Sequence, residues 1–188
     1  VRAKLRWTPG EASRIDVLLM HVAIDDGYDA FSLDNTRITL SDQPGHDRQT
    51  SNALAVDSQF QLPKFDLSLV VSLTSTDSDY DFDEDWTYVG IHPDGYSSTD
   101  NYLRDRTTRS LDARMTSNDT SLLFNGTTHW IAGAYILDST EDLRRIYTWL
   151  DDDFRSRYDF TTSALYGQFD SRIATDLYLA TGIRFERR

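Results

Sequence analysis

Residues 65–86 read FDLSLVVSLTSTDSDYDFDEDW, and this stretch decides the fold. Apolar side chains occupy every second position from Phe65 to Leu73, and most positions between them are polar. Successive side chains of a β-strand point to opposite faces, so the alternation predicts a strand with one apolar face. A ladder of acids follows without a capping residue, glycine or proline. We expect the strand to end near residue 76 and the acids to lie in a solvated loop.

The same period of two recurs along the chain, and helical periodicity is hard to find. The sequence therefore predicts an all-β fold, an antiparallel meander of about eight long strands that form part of a transmembrane β-barrel. The predicted strands are residues 1–8, 14–24, 48–61, 65–76, 102–116, 128–137, 158–170 and 175–187.

The connections indicate the membrane barrel. Short and long connections alternate, with long loops at residues 25–47, 77–101 and 138–157. Outer-membrane barrels have short periplasmic turns and long extracellular loops, and about 9–11 residues suffice for a tilted strand to cross the bilayer. Strands of soluble sandwiches are shorter, about 5–6 residues. Trp7, Phe60 and Trp130, each near a short connection, suit an interfacial aromatic girdle or, alternatively, an ordinary core.

Composition excludes several classes of function. The chain has 188 residues, a net charge of −12 and 39% apolar residues. This charge disfavours nucleic acid as a partner, because phosphate binding needs a basic face. Cysteine is absent, so there is neither a disulfide nor thiolate chemistry, and no apolar run is long enough for a transmembrane helix. The abrupt ends and the lack of a signal peptide lead us to expect a partial chain.

Motifs for catalysis or metal binding are missing from the sequence. Placing Asp77 at the first position of an EF-hand loop puts Phe82 where glycine is needed and Tyr88 where glutamate is needed. The four histidines are scattered, and no nucleophile elbow or phosphate-binding loop is found. We therefore expect no enzyme activity, no cofactor and no metal centre. A weak, exposed divalent-cation site at the acids remains an alternative to a solvated loop.

The predicted long loops instead combine aromatic and arginine side chains with acids. Such side chains can bind a ligand through flat faces and charge-assisted hydrogen bonds. Packing of one loop against another is the alternative role. The third loop offers Arg144, Arg145, Tyr147 and Trp149. We select as candidate substrate-binding residues Tyr28, Arg37, Tyr80, Trp86, Tyr88 and Tyr96.

Several segments resemble the middle of the barrel of TonB-dependent outer-membrane receptors, in order and over nearly the whole chain. They are GYDAFSLDN (27–35), TLSDQPGHDRQ (39–49), YDFDEDW (80–86), NYLRDRTTRSLDARMTS (101–117), WIAGAYILD (130–138), ALYGQFD (164–170) and LATGIRFERR (179–188). The resemblance implies that residues 1–188 are part of such a barrel in the outer membrane of a Gram-negative bacterium. The family's barrel has 22 strands, and roughly a third of it is present here.

The resemblance also implies a transporter that imports a ferric siderophore or a similar scarce nutrient. Its partners would be that nutrient, outer-membrane lipid and, through a plug domain that this chain lacks, the TonB complex. A TonB box and an aromatic-ended last strand are missing as well. Two other functions remain open: a self-contained eight-stranded outer-membrane barrel acting as an adhesin or structural protein, and a soluble β-sandwich that binds carbohydrate.

Overall fold

The computed structural model describes residues 1–27 and 31–188, and within them it has eight β-strands and no helix. Accordingly, this part of the chain contains no helix that could span a membrane. The expectation of an all-β antiparallel meander of about eight strands is confirmed. The strands are β1 (Arg2–Gly10), β2 (Ser13–Gly27), β3 (His46–Gln61), β4 (Phe65–Asp83), β5 (Thr99–Ser117), β6 (Thr128–Tyr147), β7 (Phe154–Ala174) and β8 (Leu177–Arg187).

All eight strands belong to one sheet in the order in which they occur along the chain. Each strand pairs antiparallel with the next, as β4 and β5 do from Phe65 opposite Ser117 to Asp83 opposite Thr99. Among the described residues β1 pairs only with β2 and β8 only with β7, so the sheet is open at both edges. Residues paired across successive strands therefore form rows that cross the whole sheet.

The two faces of the sheet differ in polarity. We call one of them the apolar face; a row on it consists of Trp7, Ile15, Ser58, Leu69, Ala113, Ala134, Leu165 and Phe185. We call the other the polar face; its adjacent row consists of Arg6, Asp16, Asp57, Val70, Asp112, Tyr135, Ala164 and Glu186. The alternation seen in residues 65–73 thus extends across all eight strands.

Burial runs opposite to the pattern of a soluble domain. Ala164, on the polar face, is the only buried apolar residue in the described part of the chain. Polar residues of the same face, such as Ser51 and Ser139, are buried too. On the apolar face, by contrast, Leu165 is 64% exposed and Phe185 is 67% exposed. A soluble sheet packs its apolar face against another layer, and within the described residues no second layer covers this one.

The strands are longer than the sequence predicts. β4 continues to Asp83, so Asp77, Asp79, Asp81 and Asp83 belong to a strand and not to a loop. β6 likewise continues to Tyr147, and β7 begins at Phe154. The predicted loops 25–47, 77–101 and 138–157 therefore shrink to residues 28–45, 84–98 and 148–153.

Cross-strand ion pairs accompany the extensions of β6 and β7. Arg106 on β5 donates to Glu141 on β6, and Arg157 on β7 lies 3.5 Å from Asp142 on β6. These pairs balance charges on β6 and β7. Asp77 on β4, by contrast, lies opposite Asp105 on β5, which in turn lies opposite Asp142 on β6.

The two ends of the sheet remain unlike. The connections at one end, which we call the turn end, are residues 11–12, 62–64, 118–127 and 175–176. The opposite end, which we call the loop end, carries residues 28–45, 84–98 and 148–153. The expected alternation of short and long connections is therefore wrong for the third loop, because strand pairing absorbs most of its residues.

Candidate ligand-binding site at the loop end

The structure places the six candidate binding residues in different surroundings. Tyr28 lies outside the described residues, and Arg37 is exposed in the first loop. Tyr80 is in strand β4 on the polar face, not in a loop as predicted. The remaining three, Trp86, Tyr88 and Tyr96, are in the loop of residues 84–98.

One aromatic cluster joins the first and second loops. Phe31 stacks on Trp86, with ring centroids 5.0 Å apart and an interplanar angle of 22°. Phe82 meets Phe31 edge-on at 6.1 Å, and Tyr80 lies 5.6 Å from Phe82. Trp86 has a φ of 59°, in the left-handed region that non-glycine residues rarely adopt. The stack therefore holds a strained backbone position between the loops.

A second aromatic cluster joins the second and third loops. The rings of His92 and Tyr96 stack with centroids 4.5 Å apart, and Tyr96 meets Trp149 edge-on at 6.0 Å. Tyr88 belongs to neither set of ring contacts and is half-exposed. The six candidates therefore do not converge on one point, and Trp149 joins the cluster that contains Tyr96.

Hydrogen bonds through Asp42 dock the first loop onto the second. The Asp42 amide donates to Asp83 Oδ2 at 3.1 Å and to the Thr87 carbonyl at 3.3 Å. Asp42 Oδ2 in turn accepts a hydrogen bond from the Val89 amide at 3.1 Å. Since one residue of the first loop bonds to two groups of the second loop and to the end of β4, the two loops form a single folded unit.

Buried carboxylates stabilise this unit. Asp85 accepts hydrogen bonds from the Thr87 amide at 3.0 Å and the Ser98 amide at 2.8 Å. Asp83 is almost completely buried. Burial raises the pKa of the Asp83 carboxyl, and the nearby charges of Asp85 and Asp42 raise it further. The base of the loops is therefore sensitive to the protonation of Asp83.

The acid ladder of β4 has protein partners at Asp79 and Asp81. His46 lies between two of its acids, with Nε2 2.7 Å from Asp79 Oδ2 and Nδ1 2.9 Å from Asp81 Oδ1. Burial alone would raise the pKa of Asp79, but hydrogen bonds from His46 and Asn101 lower it overall. Within residues 1–27 and 31–188, no group of three or more histidine or acidic side chains could hold a metal ion.

The sequence missed an arginine–tyrosine cluster on the polar face. Arg145 donates two hydrogen bonds to the buried Asp100, at 2.8 and 2.6 Å, and its pKa is raised by this pairing. Its guanidinium lies 4.7 Å from the ring of Tyr147 and 5.3 Å from that of Tyr102, which also contacts Arg104. Arg145 and Tyr147 are thus strand residues and not loop residues. The alternation of Asp100, Tyr102 and Arg104 was the available signal.

The loop end therefore combines aromatic rings and carboxylates. Below them, the polar face of the sheet carries the arginine–tyrosine cluster. Such a surface can bind a ligand by stacking and by charge-assisted hydrogen bonds. Comparison of the chain with models of known protein families and with curated proteins finds no match.

Proposed function

We propose that the chain is a portion of the wall of an outer-membrane transporter of the TonB-dependent type, which imports a ferric siderophore or a similar scarce nutrient. In this proposal the apolar face contacts lipid, the polar face lines the lumen, and the loop end captures the substrate outside the cell. The observation that carries the proposal is the inverted polarity of the sheet, because large barrels expose apolar residues to lipid and polar residues to water inside.

The slant of the apolar residues supports the proposal. Trp7 and Phe185 lie in the same row at opposite edges of the sheet. From that row the apolar side chains of β1 continue towards the loop end through Leu5, whereas those of β8 continue towards the turn end through Ile183 and Leu179. The apolar band therefore crosses the strands obliquely, and its position shifts by about one residue from each strand to the next. A shift of this size corresponds to a strand tilt of about 35°.

The height of the band fits a bilayer as well. On β4 the apolar residues extend from Phe65 to Leu73, and the first acid beyond them is Asp77. Eight residue steps cover roughly 26 Å along a strand, or roughly 21 Å vertically at that tilt, near the ~25 Å apolar band of outer-membrane barrels. The charged part of the strand would therefore project into water on the outer side.

The other two functions fit the sheet less well. A self-contained eight-stranded barrel would pair β1 with β8, but these strands are the two edges of the described sheet. A soluble sandwich would cover the apolar face with a second sheet, whereas all eight described strands lie in one. Open edges do not occur in lipid, so further strands must complete the wall in a membrane.

Gene deletion combined with fractionation tests the proposal. We expect the protein that contains this chain to fractionate with the outer membrane. We also expect a deletion strain to lose energy-dependent growth on at least one chelated iron source or other scarce nutrient, and the intact gene to restore it. Recovery of the protein in the soluble fraction, or growth of the deletion strain equal to wild type on every source, would contradict the proposal.

A further inference from the structure

The loop end carries a strongly negative charge. Residues 28–45, 84–98 and 148–153 contain a single basic residue other than histidine, Arg37. The same segments contain nine acids: Asp29, Asp34, Asp42, Glu84, Asp85, Asp94, Asp151, Asp152 and Asp153. A surface of one sign concentrates ligands of the opposite sign and repels those of its own.

Part of this charge is already used within the protein. Asp42 and Asp85 hold the loop backbone through hydrogen bonds, and Asp153 accepts a hydrogen bond from Arg144 at 2.7 Å. Asp151 and Asp152 are exposed, and among the described residues no cationic group lies within ion-pair distance of either. Asp94, which precedes Tyr96 by two residues, is also exposed and likewise has no cationic group of the described residues within ion-pair distance. These three carboxylates remain available to a ligand.

An aromatic platform lies beside the available carboxylates. Trp149 is 57% exposed and precedes Asp151 by two residues, while Tyr96 meets its ring edge-on. The platform is held in place, because Thr148 and Thr99 exchange hydrogen bonds and the Tyr96 ring stacks on His92. An indole face attracts cations through the negative charge of its π-system, and more strongly when carboxylates lie nearby.

We propose that Trp149 and Tyr96, together with Asp94, Asp151 and Asp152, form a binding surface for a positively charged organic ligand, such as a nutrient or metal chelate bearing an ammonium group. The inference rests on the proposed transport function, and it names the substrate class. A polyanionic chelate would be repelled by the same carboxylates. Arg37 is the one basic side chain of the loops, and the flanking Arg144 and Arg155 of the strand ends lie against Asp153.

Saturation-transfer NMR on the purified protein tests this with two probes of similar size. Benzyltrimethylammonium carries a permanent positive charge, and benzenesulfonate carries a permanent negative charge. We expect the cation to give at least a fivefold larger transfer signal at low ionic strength. The signal should fall at least fivefold in the D151N/D152N variant and in W149A.

A control variant separates local from general charge effects. Asp119 and Asp176 are exposed in connections at the turn end, so D119N/D176N removes the same charge far from the platform. The cation signal should persist in this control. Equal signals for both probes, no binding of either, or an equal loss in both double variants would overturn the inference. Lipid labelling of the apolar face, described at the end of the Discussion, reports independently on the proposed function, so the two failures are distinguishable.

Discussion

Ser72 on β4 and Ser110 on β5 lie opposite each other on the polar face, with their hydroxyl oxygens 2.6 Å apart. One position along, Val71 and Leu111 form the corresponding pair on the apolar face, and they are 40% and 39% exposed. These four residues thus place a hydroxyl pair on one face of the sheet and an exposed valine–leucine pair on the other.

Substitution of Leu111 by arginine should impair membrane assembly, because in the proposed arrangement it places a charge on the face that contacts lipid. A cost of about 2–4 kcal/mol is typical of arginine at the midplane of an outer-membrane barrel. The matched variant S110R places the same charge one residue away on the polar face and should assemble almost normally. The measurement is the fraction of each variant in the outer membrane; equal fractions would contradict the assignment of the faces.

The Asp100–Arg145 pair should be the most sensitive ion pair of the polar face. D100N removes an acceptor that is almost completely buried and loses one charge-assisted hydrogen bond to Arg145, at an expected cost of about 1–3 kcal/mol. D159N weakens the exposed pair with Arg157 and should leave stability unchanged within error. Denaturant unfolding of both variants checks this prediction. An equal change in unfolding free energy would show that Asp100 contributes no more to stability than the exposed Asp159.

The stability of the loop base should depend on pH through Asp83. Its pKa is raised in the folded state, so the folded protein binds more protons than the unfolded one above the ordinary aspartate pKa of about 3.9. Wild type should therefore lose stability relative to D83N as the pH rises from that value through the raised pKa. Below about pH 3.9, Asp83 is protonated in the folded and in the unfolded protein, so the difference in stability between wild type and D83N should vanish.

Asp79 provides the opposite sign and so controls for general effects of acid. Its folded pKa is lowered, so its ionised form stabilises the fold above the ordinary pKa and this contribution is lost as the pH falls through the lowered pKa. D79N should thus be less stable than wild type at pH 7, whereas D83N should be more stable. Unfolding free energies of both variants at a series of pH values decide the matter; the same sign for both would contradict the account.

The Phe31–Trp86 stack should couple the first two loops. In a double-mutant cycle, F31A and W86A should show an interaction free energy of about 0.5–1.5 kcal/mol. F31A alone should also shift the tryptophan emission to longer wavelength, since Trp86 becomes more hydrated. F124A, which removes an exposed ring at the turn end, should cause no shift. Additive effects in the cycle would mean that the loops do not support each other.

The positions of the strands, their order and the separation of the faces could be predicted from the alternation of residues such as Phe65 to Leu73. The strand ends could not. Asp77 to Asp83 are read locally as a solvated loop, because repulsion between alternate acids is visible in the sequence. His46, which pairs with Asp79 and Asp81, and Asn101, which pairs with Asp79, come from the neighbouring strands β3 and β5. Strand extension is thus decided by partners far away in the sequence.

The candidate site was predictable only in part, for a related reason. Aromatic residues in the loops identified Trp86 and Tyr96, but which rings meet depends on how the loops fold back on each other. Trp149 reaches Tyr96 only because β6 and β7 extend and leave a short third loop. Arg145 belongs to the polar face for the same reason.

Cysteine scanning of residues 68–74 distinguishes the surroundings of the two faces, because residues 1–188 contain no cysteine of their own. Single cysteines would be placed in the protein in outer-membrane vesicles and treated with a lipid-soluble maleimide or a membrane-impermeant thiol reagent. We predict lipid labelling at residues 69, 71 and 73, and labelling only by the aqueous reagent at residues 68, 72 and 74. Aqueous labelling at 69, 71 and 73, or loss of the alternation, would contradict a lipid-facing apolar side.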